Sequence, residues 1–271
     1  MLPKSDKAMD ENIKVLFIGD IVGEPGYQIL EDCLCDIISK YKIDFVIANA
    51  ENISDGAGML KRDVERLLKL PINTLTGGNH TFDKIQFNTF LDESNNILRP
   101  NNYPPGVFGK GYATFSIENK NCSICVINLL GRLYMRPNDC PFRSFDKVYN
   151  IIGNTAKIII VDFHAETTSE KYAFAWYVDG KASAVLGTHT HIQTADEKIL
   201  PKGTAYITDV GMTGPYDSVI GLEKLTSIRK FIYGTPQKHE VAKNDVHIAA
   251  VILTIDSVSG KSLKIERLFY P

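Results

Sequence analysis

The chain has 271 residues, of which 30 are basic and 32 acidic, giving a formal net charge of −2 and an apolar fraction of 44%. This composition is typical of a folded globular protein. The balanced charge argues against an extended basic surface for long nucleic acids or anionic membranes, but it leaves room for a local site that binds a small anion.

The N-terminal segment is polar and mixed in charge, and it has no apolar core of the signal-peptide kind. No apolar run in the chain reaches the roughly 18–20 residues that span a bilayer. We therefore expect a flexible polar leader at 1–12, a single domain over 13–271 and a cytoplasmic location. Five Cys without regular spacing also fit a reducing compartment and do not form a disulfide framework.

Strands and helices alternate in the first part of the chain. Apolar runs predict buried strands at 15–18, 45–48 and 72–76. Helical spacing of apolar residues predicts helices at 27–38 and 64–68, the second ended by Pro71. This alternation is typical of parallel β-α-β units. Further strands are predicted at 112–117, 122–130, 157–162, 184–187 and 204–208, with a turn at 118–121 and a closing hairpin at 246–256 and 263–269.

Cys122 and Cys125 form a C-x-x-C pair, which is also a pattern of zinc and redox sites. The surrounding sequence predicts a strand, and residues three apart on a strand point to opposite faces. We therefore interpret both as small core residues.

Metal-capable side chains follow five of the predicted strands. In an open α/β sheet, functional groups gather outside the carboxyl ends of the strands. These residues are expected to converge, although each also fits a helix cap, a turn or a core position. The set is Asp20, Glu51, Asn52, Asn79, His80, His164, His189 and His191.

A dinucleotide-binding loop is the competing interpretation of the first strand end. The glycines at 19, 23 and 26 do not match G-x-G-x-x-G, and Asp20 would repel a pyrophosphate. H-E-x-x-H is absent from the sequence, which argues against a zincin.

The motif set resembles the YmdB-like branch of the calcineurin-like metallophosphoesterases over 14–271. Two departures from the wider superfamily belong to this resemblance: Val22 stands where a His is usual, and Glu51 replaces the usual bridging Asp. The matching segments are Gly19-Asp-Ile-Val-Gly23, Asn49-Ala-Glu-Asn52, Gly78-Asn-His80, 187–196 (GTHTHIQTAD) and 208–215 (TDVGMTGP).

The resemblance implies an α/β fold, namely a four-layer αββα sandwich with a dinuclear metal site at the carboxyl ends of the strands. It implies a metal-dependent phosphodiesterase that hydrolyses cyclic nucleotides, foremost 2′,3′-cyclic and also 3′,5′-cyclic nucleotides. In this class a hydroxide activated by two metals attacks phosphorus. Iron or manganese is the first expectation for the two ions, and zinc also fits the mixed N and O ligands.

By resemblance, the ligands divide into two sets that share Glu51 as a bridge. His80 is the expected general acid, oriented by Asp83. Since only two of the seven ligands are anionic, two divalent ions would leave a net positive site that suits a phosphate. One ion would be held by Asp20, Glu51, Asn52 and His191, and the other by Glu51, Asn79, His164 and His189.

Two alternatives stay open at the level of sequence. One is a regulatory or RNA-associated protein that retains the metal site but acts by binding. The other is a metallohydrolase of another phosphoester. A metallo-β-lactamase-type H-x-H-x-D-H is excluded because Ile192-Gln193 follows His191, which puts Gln193 where that motif has Asp. The expected partner is a small phosphodiester, without a membrane, and self-association into a homo-oligomer is left open.

Overall fold

The computed structural model describes residues 12–117, 120–153 and 155–271. Except for Asn12, the predicted leader lies outside the described residues, and so does part of the predicted turn at 118–121. None of the described helices combines the length and apolar content needed to cross a lipid bilayer.

Strands and helices alternate over the first hundred residues and again between 122 and 188. The strands are β1 (Asn12–Ile18), β2 (Asp20–Ile21), β3 (Phe45–Asn49), β4 (Thr74–Thr76), β5 (Ile97–Leu98), β6 (Tyr112–Ile117), β7 (Cys122–Leu130), β8 (Ile158–His164), β9 (Ala184–Thr188), β10 (Lys198–Ile199), β11 (Ala205–Ile207), β12 (Met212–Pro215), β13 (Val246–Asp256) and β14 (Ser262–Tyr270). The α-helices are α1 (Gly23–Tyr41), α2 (Lys61–Leu67), α3 (Asn88–Glu93), α4 (Pro141–Ile152), α5 (Thr168–Tyr177) and α6 (Lys224–Tyr233), and a 3₁₀ turn covers Ile85–Phe87.

These strands form two sheets. The first has the order β2-β12-β13-β1-β3-β4-β5, with β14 paired to β13, and the second has the order β10-β11-β9-β8-β7-β6. In the first sheet β1, β3, β4 and β5 run parallel. In the second, β7, β8, β9 and β11 run parallel. Within each sheet the carboxyl ends of these strands therefore share one edge.

Three apolar cores separate the helices and sheets into layers. Successive residues of β1 face opposite ways, so Leu16 joins the core beneath α1 while Phe17 joins the core between the sheets. On the far side of the second sheet, Val161 packs in a core with Phe145 of α4 and Phe174 of α5. Helices thus cover the outer face of each sheet, which is the expected αββα arrangement.

The structure confirms the predicted strands, with ends shifted by a few residues, and the closing hairpin formed by β13 and β14. Cys122 and Cys125 lie in β7, and Cys125 is fully buried, as the core interpretation predicts. The helices α3, α4, α5 and α6 were not predicted. For α4 a start signal was present, because Pro141 occupies its first turn and Phe145 and Val148 share a buried face.

Candidate metal centre

All eight predicted site residues lie at or just beyond strand ends. Three groups come from the first sheet and the loops that leave it, and two groups come from the second sheet. Asp20 starts β2, Glu51 and Asn52 follow β3, Asn79 and His80 follow β4, His164 ends β8, and His189 and His191 follow β9.

Glu51, His164 and His189 form the centre of the site. Among the described residues, one carboxylate oxygen of Glu51 and one ring nitrogen each of His164 and His189 lie within 4.8 Å of one another. His164 Nε2 is 3.1 Å from Glu51 Oε1 and 3.0 Å from His189 Nδ1. Asn79 Oδ1 lies 2.9 Å from the same His164 nitrogen. The predicted set of Glu51, Asn79, His164 and His189 is therefore brought together.

The second predicted set is linked to this centre by hydrogen bonds but is less compact. Asn52 Nδ2 lies 3.1 Å from His191 Nε2 and 3.3 Å from Glu51 Oε1. Asp20 Oδ2 accepts a hydrogen bond from the His189 backbone N–H at 3.1 Å. The described residues thus place Asp20, Asn52 and His191 around Glu51 without gathering their donor atoms into one close group.

Two observations fit a cation at this centre. Asp20 is fully buried, and its Oδ1 has no hydrogen-bond partner among the described residues. A buried carboxylate oxygen without a partner is costly unless a cation satisfies it. Gly78 also leaves necessary space, because a Cβ there would collide with Glu51 Oε2 and lie 2.6 Å from His164 Nε2. Imidazole nitrogens with carboxylate and amide oxygens suit a transition metal better than Ca²⁺.

Each of the three imidazoles is oriented by a partner on its other nitrogen. His189 Nε2 pairs with Glu166 Oε2 at 2.9 Å, and His191 Nδ1 lies 2.9 Å from the Ile220 carbonyl oxygen. His164 Nδ1 lies 2.9 Å from Thr188 Oγ1. Such contacts fix ring orientation and tautomer in metal sites, so His164 and His191 present Nε2 to the centre and His189 presents Nδ1.

Asp162 supports His164 through the hydroxyl group of Thr188. Thr188 Oγ1 donates to Asp162 Oδ1 at 2.7 Å, while Thr76 Oγ1 and Asn49 Nδ2 donate to Asp162 Oδ2 at 2.5 and 3.0 Å. Burial raises the pKa of Asp162 to about 7. This network joins the ends of β3, β4, β8 and β9, and therefore ties the two sheets together directly under the site.

A buried ion pair holds the 189–191 segment. Asp209 Oδ2 accepts from Lys171 Nζ at 2.8 Å, and from Thr190 through its N–H at 3.0 Å and its Oγ1 at 2.7 Å. Both charged groups are buried. The flanking His189 and His191 have φ values of 102° and 66°, which non-glycine residues rarely adopt. Asp209 thus fixes the strained turn that separates the two imidazoles.

His80 stands beside the centre with its ring partly exposed. Its backbone N–H donates to Glu51 Oε2 at 3.0 Å, and its Nδ1 lies 2.6 Å from Asp83 Oδ2. The predicted contact between His80 and Asp83 is therefore present. With Nδ1 engaged, Nε2 is the nitrogen of His80 that has no partner among the described residues.

The charges of Glu51, His164 and His189 influence one another at the centre. Burial opposes the charged form of Glu51, but the charge and hydrogen bond of His164 outweigh it and lower the pKa of Glu51 to about 2. Burial also opposes charge on His164, yet the Glu51 carboxylate raises its pKa. Burial and the nearby positive charge lower the pKa of His189 to about 3, which keeps that ring neutral with a lone pair to donate.

Sequence reasoning did not assign Asp162, Glu166, Lys171 or Asp209 to the site. Asp162 lies inside an apolar strand, and Lys171 lies in a helix that was not predicted. Asp209 belongs to the matching segment 208–215, but that segment alone does not show which residues Asp209 contacts. Only the fold brings these residues to the 189–191 segment and to His164.

Comparison with known proteins gives one family and full-length relatives. The model of the family described as "YmdB-like protein" matches residues 16–268. A Bacillus subtilis (strain 168) protein named 2′,3′-cyclic-nucleotide 2′-phosphodiesterase is 44% identical over 256 residues, covering 94% of this chain and 96% of the relative.

Two solved structures share this fold closely. A phosphatase from Mycoplasma pneumoniae superposes with a TM-score of 0.89 at 37% identity, covering 95% of this chain and 93% of the other. A hypothetical protein from Thermus thermophilus superposes with a TM-score of 0.88 at 41% identity, covering 95% of this chain and 99% of the other. The likeness in fold therefore spans nearly the whole chain.

Proposed function

Because the chain belongs to the YmdB-like family, we propose that it is a metal-dependent phosphodiesterase that hydrolyses 2′,3′-cyclic nucleotides. The observation that carries the proposal is the joint geometry of Glu51: one carboxylate contacts His164 and also anchors the backbone of His80. The Glu51 side chain therefore contacts both a predicted metal ligand, His164, and the backbone of the expected proton donor, His80. The name of the Bacillus subtilis relative, 2′,3′-cyclic-nucleotide 2′-phosphodiesterase, supports the choice of substrate class.

Two transition-metal ions, with iron or manganese as first expectation, would be held by the seven predicted ligands. One ion would take Asp20, Glu51, Asn52 and His191, and the other Glu51, Asn79, His164 and His189. When bound, such ions neutralise phosphate charge and lower the pKa of a water molecule. Glu166, Thr188 and the Ile220 carbonyl keep the three imidazoles in the required orientation.

His80 supplies the proton that the leaving oxygen needs. A water molecule attacks phosphorus and releases one proton to solvent, the bond between phosphorus and the 2′ oxygen breaks, and that oxygen takes a proton from His80 Nε2, which solvent then restores. The product is a nucleoside 3′-monophosphate. The Asp83 carboxylate accepts a hydrogen bond from His80 Nδ1–H and stabilises the protonated ring before the proton is transferred. The buried Glu51 carboxylate fixes the backbone of His80 throughout.

The test is hydrolysis by protein purified anaerobically, with its metal content measured by mass spectrometry. Substrates are 2′,3′-cyclic AMP, 3′,5′-cyclic AMP and bis(p-nitrophenyl) phosphate. We expect fastest turnover of 2′,3′-cyclic AMP, loss of turnover after chelation and recovery with Mn²⁺ or Fe²⁺. Turnover that is indifferent to chelation would overturn the metal dependence. A protein that acts only by binding would hydrolyse none of the three.

A further inference from the structure

The loop at 131–138, between β7 and α4, lies directly against the metal centre. Its first residue, Gly131, donates its N–H to the carbonyl oxygen of His164 at 2.9 Å. Asn138 Nδ2 donates to the Gly131 carbonyl oxygen at 2.9 Å, which closes the base of the loop. Asn102 Nδ2 donates to Asn138 Oδ1 at 2.8 Å from the neighbouring segment. Hydrogen bonds therefore hold the two ends of the loop together beside His164, a predicted metal ligand.

A second anchor fixes the direction in which the loop leaves the site. The Glu170 side chain on α5 accepts from the Arg132 N–H at 3.0 Å and from the Leu133 N–H at 3.2 Å. Glu170 is 9% exposed, so these bonds are shielded from water. A carboxylate that accepts backbone N–H groups sets a loop conformation without neutralising the Arg132 guanidinium.

The tip of the loop presents side chains to solvent. Arg132 is exposed and makes no side-chain hydrogen bond or ion pair among the described residues. Leu133 is 51% exposed and Tyr134 is 90% exposed. Tyr134 also has a φ of 61°, a conformation that bulky residues rarely adopt. A rigid base thus supports an aromatic ring that has no ring partner in the described part of the protein.

The far side of the loop reaches the proton donor. Arg136 Nη1 lies 3.3 Å from Asp83 Oδ1, while the other oxygen of Asp83 contacts His80. The loop consequently runs from His164 to the His80–Asp83 pair and borders the site along the side of the expected leaving oxygen. In a 2′,3′-cyclic nucleotide that oxygen belongs to the ribose, so the base must lie on the same side.

We propose that the loop at 131–138 is the element that recognises the nucleoside, an inference that rests on the proposed function. Tyr134 stacks on the nucleobase, and Arg132 binds an oxygen of the phosphate. An aromatic platform stacks on any base, because every base offers a π-face. It favours purines because their rings are larger. The loop therefore selects nucleotides over phosphodiesters that lack a base, without selecting one base by hydrogen bonds.

The decisive variants are Tyr134→Ala and Tyr134→Phe, assayed in the metal-loaded protein on 2′,3′-cyclic AMP and bis(p-nitrophenyl) phosphate. Loss of stacking is expected to raise KM for 2′,3′-cyclic AMP by about tenfold or more, with kcat within about twofold. Tyr134→Phe keeps the ring and stays near wild type. Bis(p-nitrophenyl) phosphate is hydrolysed equally by all three. Tyr233→Ala, on the remote helix α6, is the matched control because Tyr233 is also exposed, at 66%.

Binding of adenosine 3′-monophosphate, measured by calorimetry, gives a readout that does not depend on turnover. Tyr134→Ala should weaken this binding about tenfold while binding of inorganic phosphate is unchanged, whereas Arg132→Ala should weaken both. Equal binding of adenosine 3′-monophosphate by wild type and Tyr134→Ala would overturn the inference. If 2′,3′-cyclic AMP is not hydrolysed, the proposed function fails, and the calorimetric comparison still decides the role of the loop.

Discussion

His80 differs from the predicted ligands in that Asp83 and Glu51 hold it while its Nε2 has no partner among the described residues. We predict that His80→Ala retains its metal and loses turnover of 2′,3′-cyclic AMP by about 10²–10⁴-fold, the usual contribution of a general acid. Metal content by mass spectrometry and kcat are the two measurements. Retained metal with lost turnover distinguishes a proton donor from a residue that binds the ions.

Two further variants make this prediction specific. His239→Ala removes an exposed imidazole outside the site and should change neither metal content nor kcat. Asp83→Asn should give an intermediate loss, because the ring stays but its protonated form is less stabilised. Wild-type turnover in His80→Ala would show that another group protonates the leaving oxygen.

Gly78 gives a prediction about space rather than charge. A methyl group at this position would collide with Glu51 and approach His164, two of the predicted ligands. We predict that Gly78→Ala loses metal while keeping a cooperative thermal transition. Metal content and circular dichroism on the same sample check both parts.

Gly106→Ala is the matched control, since a Cβ there meets nothing within 4 Å although its φ is 87°. It should show the opposite pattern, namely a lowered melting temperature from backbone strain of order 1 kcal/mol and full metal content. If Gly78→Ala binds metal as wild type does, the centre lies elsewhere than between Glu51 and His164.

At the scale of elements, the sequence predicts most strands because period-2 and continuous apolar runs are strong signals. It does not predict α6, whose apolar residues Phe231, Ile232 and Tyr233 are largely exposed, so they reflect no buried face. Two-residue strands such as β2 and β10 carry no periodicity at all. The predicted ligands could be proposed because they are polar residues that end or directly follow apolar runs, whereas Asp162 looks like one polar residue in an apolar strand.

The turn after β9 is an element whose conformation depends on a buried charge pair. We predict that Asp209→Ala lowers stability by about 3–5 kcal/mol, the usual cost of leaving one buried charge without its partner, and weakens metal binding. The reason is that Thr190 loses both of its bonds to Asp209 while His189 and His191 keep their unfavourable φ values. Chemical denaturation and metal titration measure the two effects.

Thr190→Val separates these effects because it removes one hydroxyl contact and leaves the Lys171–Asp209 pair in place. It should cost little stability but lower metal affinity measurably. Unchanged metal affinity in both variants would mean that the turn holds its shape without Asp209.

At the scale of the whole molecule, the resemblance gave the αββα order, and the three apolar cores confirm it. What no single segment could reveal is that the site joins two sheets. Predicted ligands from the loops of the first sheet meet predicted ligands from the second, and Asp162 bonds to Asn49 and Thr76 across the same boundary. The expected cytoplasmic location stays a prediction, and self-association stays open.

A centre that draws its ligands from both sheets should couple metal binding to the stability of the whole domain. Metal that binds only the folded state stabilises it by RT ln(1 + [L]/Kd), about 2.7 kcal/mol at 100 Kd. We predict that chelation lowers the melting temperature of the wild type and that Mn²⁺ restores it. Hydrogen exchange should show the greatest loss of protection at the ends of β3, β4, β8 and β9, because those strand ends meet under the site.

Glu51→Gln provides the comparison, since it keeps the size of the side chain but removes the charge of the shared ligand. Its melting temperature should no longer respond to Mn²⁺, and its exchange pattern without metal should match that of the chelated wild type. If chelation changes exchange only in the 189–191 turn, the ions organise that loop alone and the two sheets are held together by the Asp162 network.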